Sequence, residues 1–189
     1  MLLRRGFKAE ANRYALVFRS KLNVPADGPL CPWRLAQHLS IPVIDLSEFA
    51  KGNSRVAYFL SPKGLWEFSG GTFSLEQKRL IVINDGHSKK RQASDLSHEL
   101  SHCILEHAPE SKITELSFRK YNKALEEEAN WLGPALLISV EAALSIARRG
   151  LSIVQASEDY SVTEQIVQMR LNLTGALKRT RRVGEFVTA

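Results

Sequence analysis

Residues Gln92–His107, QASDLSHELSHCILEH, decide the reading of this chain. Leu96, Leu100, Cys103, Ile104 and Leu105 recur at helical spacing, and neither Pro nor Gly interrupts the run. Inside it stands His98-Glu99-Leu100-Ser101-His102, an H-E-x-x-H pattern. At ~3.6 residues per turn, residues four apart lie one above the other on one helix face. His98 and His102 can therefore aim a ring nitrogen at one ion, with Glu99 carried beside it. Zinc takes imidazole and carboxylate ligands, and a catalytic site leaves one position open for water. A carboxylate beside that position can take a proton from water, which is metallopeptidase chemistry.

Such a site needs a third ligand, and Glu126-Glu127-Glu128 is the acidic cluster on the next long helix, expected from about Phe118 or Arg119 to Leu137. A stripe through Leu125, Ala129, Leu132 and Leu136 marks its inward face, and on that stripe the periodicity selects Glu128. A carboxylate on an apolar stripe is costly unless compensated, and a divalent cation compensates it. Gly133-Pro134 is expected to kink this helix. His107, nine residues beyond His98, points to another face. His38 reads as a surface or packing residue, and His87 as a solvated loop histidine with a fourth-ligand role as the alternative.

Length and composition suit one packed domain with a small appendage: 189 residues, 44% hydrophobic and 24% charged. No apolar run approaches the ~18–20 residues of a membrane span, and basic Met1–Phe7 is followed by no apolar signal region. Cys31 and Cys103 are far apart and form no disulfide framework. These features point to a cytoplasmic protein without a membrane partner. The net charge of +6 suits an acidic partner but requires none.

Lys8–Leu22 reads as an amphipathic helix, and Pro32 opens a short second one. Ile41–Leu46 reads as a strand. Arg55–Leu60 and Leu65–Phe68 read as a hairpin that Gly70-Gly71 ends. Arg79–Asn84 is the clearest strand, closed by Asp85-Gly86. Downstream, Ser139 suits a helix N-cap, and Ser161 with Glu164 has capping-box spacing for a helix to about Leu173. Residues 178–182 are basic.

The H-E-x-x-H segment, followed at this distance by Glu128-Ala129-Asn130 and Leu136-Leu137, resembles the ImmA/IrrE family of zinc metallopeptidases. The likeness covers most of residues 8–175. It departs at Leu132-Gly133-Pro134, where the family has Phe-Ala, and at Ile138-Ser139, where it often has Met-Pro. The resemblance implies an α+β, zincin-like fold: a small mixed or antiparallel sheet packed on the H-E-x-x-H helix. It implies a peptidase domain over 1–138, a helix-turn-helix-like helical subdomain over 139–175, and a basic tail over 176–189.

It further implies one zinc ion, with manganese as an alternative, on His98, His102 and Glu128, with Glu99 as catalytic base. The implied activity is cleavage of a helix-turn-helix repressor of the XRE type, encoded nearby, which releases stress-response or mobile-element genes. Leu80, Ile81, Val82 and Ile83 on an edge strand are candidates for binding an extended substrate. Tyr121, Arg119 and His107 are candidates for steadying the oxyanion. Two other classes compete. In one, Leu151–Leu173 with Arg170 and the basic tail forms a DNA-binding or regulatory module. In the other, the metal is structural and the protein a partner-binding module. Glu164 near the start of the second helix would repel phosphate, so packing or repressor recognition is favoured over DNA. A structural site would not need Glu99.

Overall fold

The computed structural model describes residues 3–75, 78–107, 111–112 and 122–180. Helix α1 (Phe7–Lys21) buries Phe7, Ala11, Ala15 and Phe18. Helix α2 (Pro32–His38) starts on Pro32 as expected and buries Leu35 and Ala36. His38 is exposed. Strand β1 (Val43–Asp45) leads into the short helices α3 (Leu46–Ala50) and α4 (Ser54–Tyr58). Strands β2 (Gly70–Leu75) and β3 (Lys78–Ile83) pair antiparallel. Helix α5 (Lys89–Ile104) carries the H-E-x-x-H residues. Strand β4 (Ser111–Lys112) and helix α6 (Lys123–Leu137) follow. The chain then turns into α7 (Val140–Arg148), α8 (Ile153–Tyr160) and α9 (Glu164–Thr174).

The fold is α+β, with a mixed sheet in the order β1-β3-β2-β4. Strand β3 is parallel to β1 through Val43↔Ile81 and antiparallel to β2 through Thr72↔Ile81. Two sequence expectations change here. The hairpin expected at Arg55–Phe68 is instead β2–β3. Residues 54–58 are helical, and Asn53 caps them by accepting from the Arg55 and Val56 N–H groups. Gly70-Gly71 begins a strand rather than ending one; a Cβ at Gly70 would come 2.9 Å from Ile83 Cδ1 and 3.1 Å from the Val82 carbonyl oxygen, so glycine suits this close pairing.

The second correction concerns the strand taken as an edge. β3 lies inside the sheet, and Ile81 and Ile83 are core residues at 0% and 1% exposure. They pack with Leu96 and Leu100 of α5, Leu132 and Leu136 of α6, and Phe7 and Phe18 of α1. The alternation of side chains along a strand turns Val82 and Leu80 to the opposite face, with Val82 also buried. None of Leu80, Ile81, Val82 or Ile83 lies on a free edge facing a substrate.

A second apolar cluster joins Leu137 and Ile138 to Ala142, Ile146, Ala156, Tyr160, Val162 and Val167 of the last three helices. Ser139 caps α7 as expected, accepting from the Ala142 N–H. For α9 the cap is Thr163. The capping box belongs to α8, between Ser152 and Gln155, while Ser161 closes α8 in a left-handed conformation. Two buried arginines join this cluster to the rest. Arg19 donates to the carbonyls of Leu137, Ala15 and Gly28, and Arg170 donates to that of Ile138 at 2.7 Å. They satisfy carbonyls left without partners at the C-terminal end of α6. Among the described residues no single helix is long and apolar enough to cross a membrane.

Candidate metal centre

Helix α5 lies against β2 and β3 on one side and α6 on the other. Ser88 caps its start, accepting from the Arg91 N–H. Gln92, buried at 1%, donates to the carbonyls of His87 and Asp85 and so fixes the turn before it. His87 is neither solvated nor directed at an ion. It is buried, with Nε2 2.8 Å from the Leu65 carbonyl, Nδ1 3.2 Å from Asp95, and its ring stacked on Trp66. It pins the 65–69 segment to α5.

One turn separates His98 from His102, and their Nε2 atoms face each other at 3.1 Å. The carboxylate that completes the group comes from Glu126, whose Oε2 lies 3.4 Å from His98 Nε2 and 3.5 Å from His102 Nε2. Among the described residues this is the one cluster of three such side chains able to share an ion. Zinc bonds of ~2.0–2.1 Å at tetrahedral angles place neighbouring donor atoms about 3.3 Å apart. The observed triangle has that size, and the donor set fits zinc. Its side chains are 25%, 3% and 17% exposed for His98, His102 and Glu126, so the site opens to solvent beside His98. Burial disfavours the charged form of His98, but Glu126 and Glu99 outweigh it and hold its pKa above the usual 6.5.

The stripe argument selected Glu128, and the geometry selects Glu126. The reason is that α6 is buried on two sides, by α5 and by α1. Glu126, Ala129 and Gly133 share the line toward α5, where a Cβ on Gly133 would meet His98 N at 3.1 Å and Cα at 3.2 Å. Glu128 turns to the other flank. There it accepts from Arg4 Nε at 2.8 Å and lies 3.6 Å from His107 Nε2. The signal that locates the ligand is Gly133, two turns after Glu126 on the same face. The helix continues through Pro134.

Glu99 is 7% exposed, and its Oε2 accepts a 2.8 Å bond from the Thr72 hydroxyl on β2. Gly70 lies on the same sheet face, where a Cβ would sit 3.7 Å from Glu99 Cγ. The sequence marks Gly70 only as a break and gives no signal for Thr72. His107 is not placed to steady an oxyanion: its Nδ1 contacts His102 Nδ1 at 2.9 Å, on the ring edge away from the metal-facing nitrogen. Arg119 and Tyr121 lie outside the described residues.

A family model described as the IrrE N-terminal-like domain, of a peptidase family, matches residues 36–172, well over half of the chain. The chain belongs to that peptidase family. The match spans α5 and α6, and with them every residue of the His98–His102–Glu126 triangle. Such a family implies a metal cofactor, and the three donors are where this member can hold it. A search of curated proteins returned no match.

Proposed function

We propose that this protein is a zinc-dependent endopeptidase of the H-E-x-x-H type that cuts a helix-turn-helix transcriptional repressor at a specific site. The observation that carries the zinc-peptidase reading is the tetrahedral-sized triangle of His98, His102 and Glu126 with Glu99 one residue along the helix. Zinc held by these three side chains supplies Lewis acidity toward a scissile carbonyl and makes a water molecule easier to deprotonate. Glu99 takes the proton of the attacking water and passes it to the departing amine. Thr72 holds one Glu99 oxygen and so restrains the carboxylate beside the metal-binding histidines. The narrow substrate range rests on the family resemblance alone.

The extended substrate segment is assigned to β2 rather than β3. The Asn84 N–H to Ser69 carbonyl bond, with the β2–β3 register, sets the alternation of ladder bonds. Residues 69, 71 and 73 bond to β3, so the N–H and C=O groups of Gly70 and Thr72 point the other way. On that side the parallel Phe73↔Ser111 and Ser74↔Lys112 pairs use the Thr72 carbonyl and Ser74, so among the described residues the Gly70 N–H and C=O and the Thr72 N–H are left along this edge. A peptide added at Gly70–Thr72 runs alongside Glu99. The test is co-expression with the helix-turn-helix repressor encoded beside it. Wild type should cut the repressor once, and Glu99→Gln should bind zinc normally and cut nothing. Cutting by Glu99→Gln at the wild-type rate would refute the mechanism.

A further inference from the structure

From the inner edge of the metal centre a line of polar contacts leads back to the N-terminus. His102 Nδ1 lies 2.9 Å from His107 Nδ1, and the two rings are 5.1 Å apart, edge to face. His107 Nε2 faces Glu128 Oε2 at 3.6 Å. Glu128 Oε1 accepts from Arg4 Nε at 2.8 Å, and Arg4 also donates to both oxygens of Glu10, at 2.6 and 2.8 Å. His107 and Glu128 are 5% and 14% exposed at their side chains, so the inner part of the line is shielded from water.

The backbone is bent to make this contact. Helix α5 ends in a Schellman arrangement: the His107 N–H bonds to the His102 carbonyl at 2.9 Å, and the Glu106 N–H to that of Cys103 at 3.2 Å. Glu106 takes φ +56°, a left-handed conformation that glycine usually supplies at this position. The chain accepts that strain, and His107 folds back over the ligand one turn earlier. Counting helical faces from His98 misses this, because the helix has stopped at Ile104.

The His102–His107 contact holds one proton between two Nδ1 atoms, so the neutral pair has two arrangements. In the first, His102 Nδ1 carries the proton and His107 Nδ1 accepts it. His102 Nε2 then keeps its lone pair for a metal, and His107 Nε2 presents an N–H to Glu128. In the second, every proton moves one place: His102 Nε2 is blocked by hydrogen, and a bare nitrogen lone pair on His107 faces the carboxylate. The Glu128 oxygen stabilises the first and opposes the second, whereas Glu126 Oε2, 3.5 Å from His102 Nε2, pulls the other way until a metal takes that lone pair. We propose that His107 and Glu128 are positioning residues that favour the Nδ1–H tautomer of His102, in which its Nε2 is ready for the metal. Arg4 holds the Glu128 carboxylate in place. The inference rests on the zinc reading above and assigns Glu128 the work of selecting the tautomer rather than binding the ion.

The test uses the full chain and zinc alone. Affinity is measured by competition with a chromophoric chelator for wild type, His107→Leu, His107→Gln and Glu128→Gln, each checked for folding by circular dichroism. In parallel, 15N NMR of chelator-treated wild type and Glu128→Gln compares the His102 tautomer with and without the Glu128 charge. Expected is a larger Nδ1–H fraction of His102 in wild type than in Glu128→Gln, and an affinity lower by about 10–100-fold in His107→Leu. His107→Gln, whose amide oxygen can accept the Nδ1 proton, should recover most of that loss, and Glu128→Gln should fall between wild type and His107→Leu. Equal affinities for His107→Leu and wild type, no advantage of Gln over Leu, or the same His102 tautomer in wild type and Glu128→Gln would each overturn the proposal. A wild type that binds no zinc would instead overturn the reading beneath it.

Discussion

Gly133 tests whether helix spacing sets the metal centre. Its missing side chain lets α6 approach α5 so closely that a Cβ would lie 3.1–3.2 Å from His98 N, His98 Cα and Ser97 C. All three are backbone atoms and cannot rotate aside, so α6 must withdraw by a few tenths of an ångström. In Gly133→Ala the overpacking, about 1–3 kcal/mol, is partly offset by about 1 kcal/mol of helix propensity. Gly133→Val adds two more carbons and β-branching, so the net loss should reach about 3 kcal/mol. For a chain of this size, that corresponds to a melting temperature lower by roughly 6–12 °C. Withdrawal also draws Glu126 from nitrogens it now meets at 3.4 and 3.5 Å, so zinc affinity should fall in the order wild type, Ala, Val. Thermal denaturation of chelator-treated protein and zinc competition read the two effects separately. A Val variant that melts and binds zinc like wild type would refute the claim that this contact seats the ligand.

Thr72→Val removes the hydroxyl that holds Glu99 but leaves the three metal donors untouched. A bond to a charged group contributes about 1.5–3 kcal/mol, so kcat should fall about 10–100-fold while zinc stoichiometry stays the same. Arg19→Met leaves the buried Leu137 carbonyl and the part-buried Gly28 carbonyl without their guanidinium partner. It should destabilise the fold by about 2–4 kcal/mol, read by urea denaturation. His98 carries a raised pKa without metal, so its stabilising contribution is fully present below pH ~6.5 and lost as pH rises through the higher folded value. Chelator-treated wild type should therefore lose stability relative to His98→Gln as pH climbs above about 6.5. Parallel stability curves would refute this.

How far the sequence could be read depended on whether one local period governed each segment. Helix α5 was legible because one apolar stripe and two histidines a turn apart agree, and the structure keeps both. The α+β class, α1, α2, β1 and the β3 strand followed for similar reasons. The choice among three adjacent glutamates failed because α6 packs against two helices, and a single-stripe model cannot separate two buried flanks. The β2 strand was hidden by Gly70-Gly71, which read as a break until the nearness of Ile83 and Glu99 explained the glycine. The place of β3 inside the sheet depends on β1, nearly forty residues earlier, and no local pattern carries that pairing. His107 was hidden by a left-handed turn on a glutamate.

Which glutamate completes the metal centre is the decisive question. The direct measurement is zinc per chain, by native mass spectrometry at saturating zinc, for wild type, Glu126→Ala and Glu128→Ala. One zinc should be found in wild type and in Glu128→Ala, and none should be retained by Glu126→Ala. Zinc kept by Glu126→Ala and lost by Glu128→Ala would contradict the geometry of the His98–His102–Glu126 site.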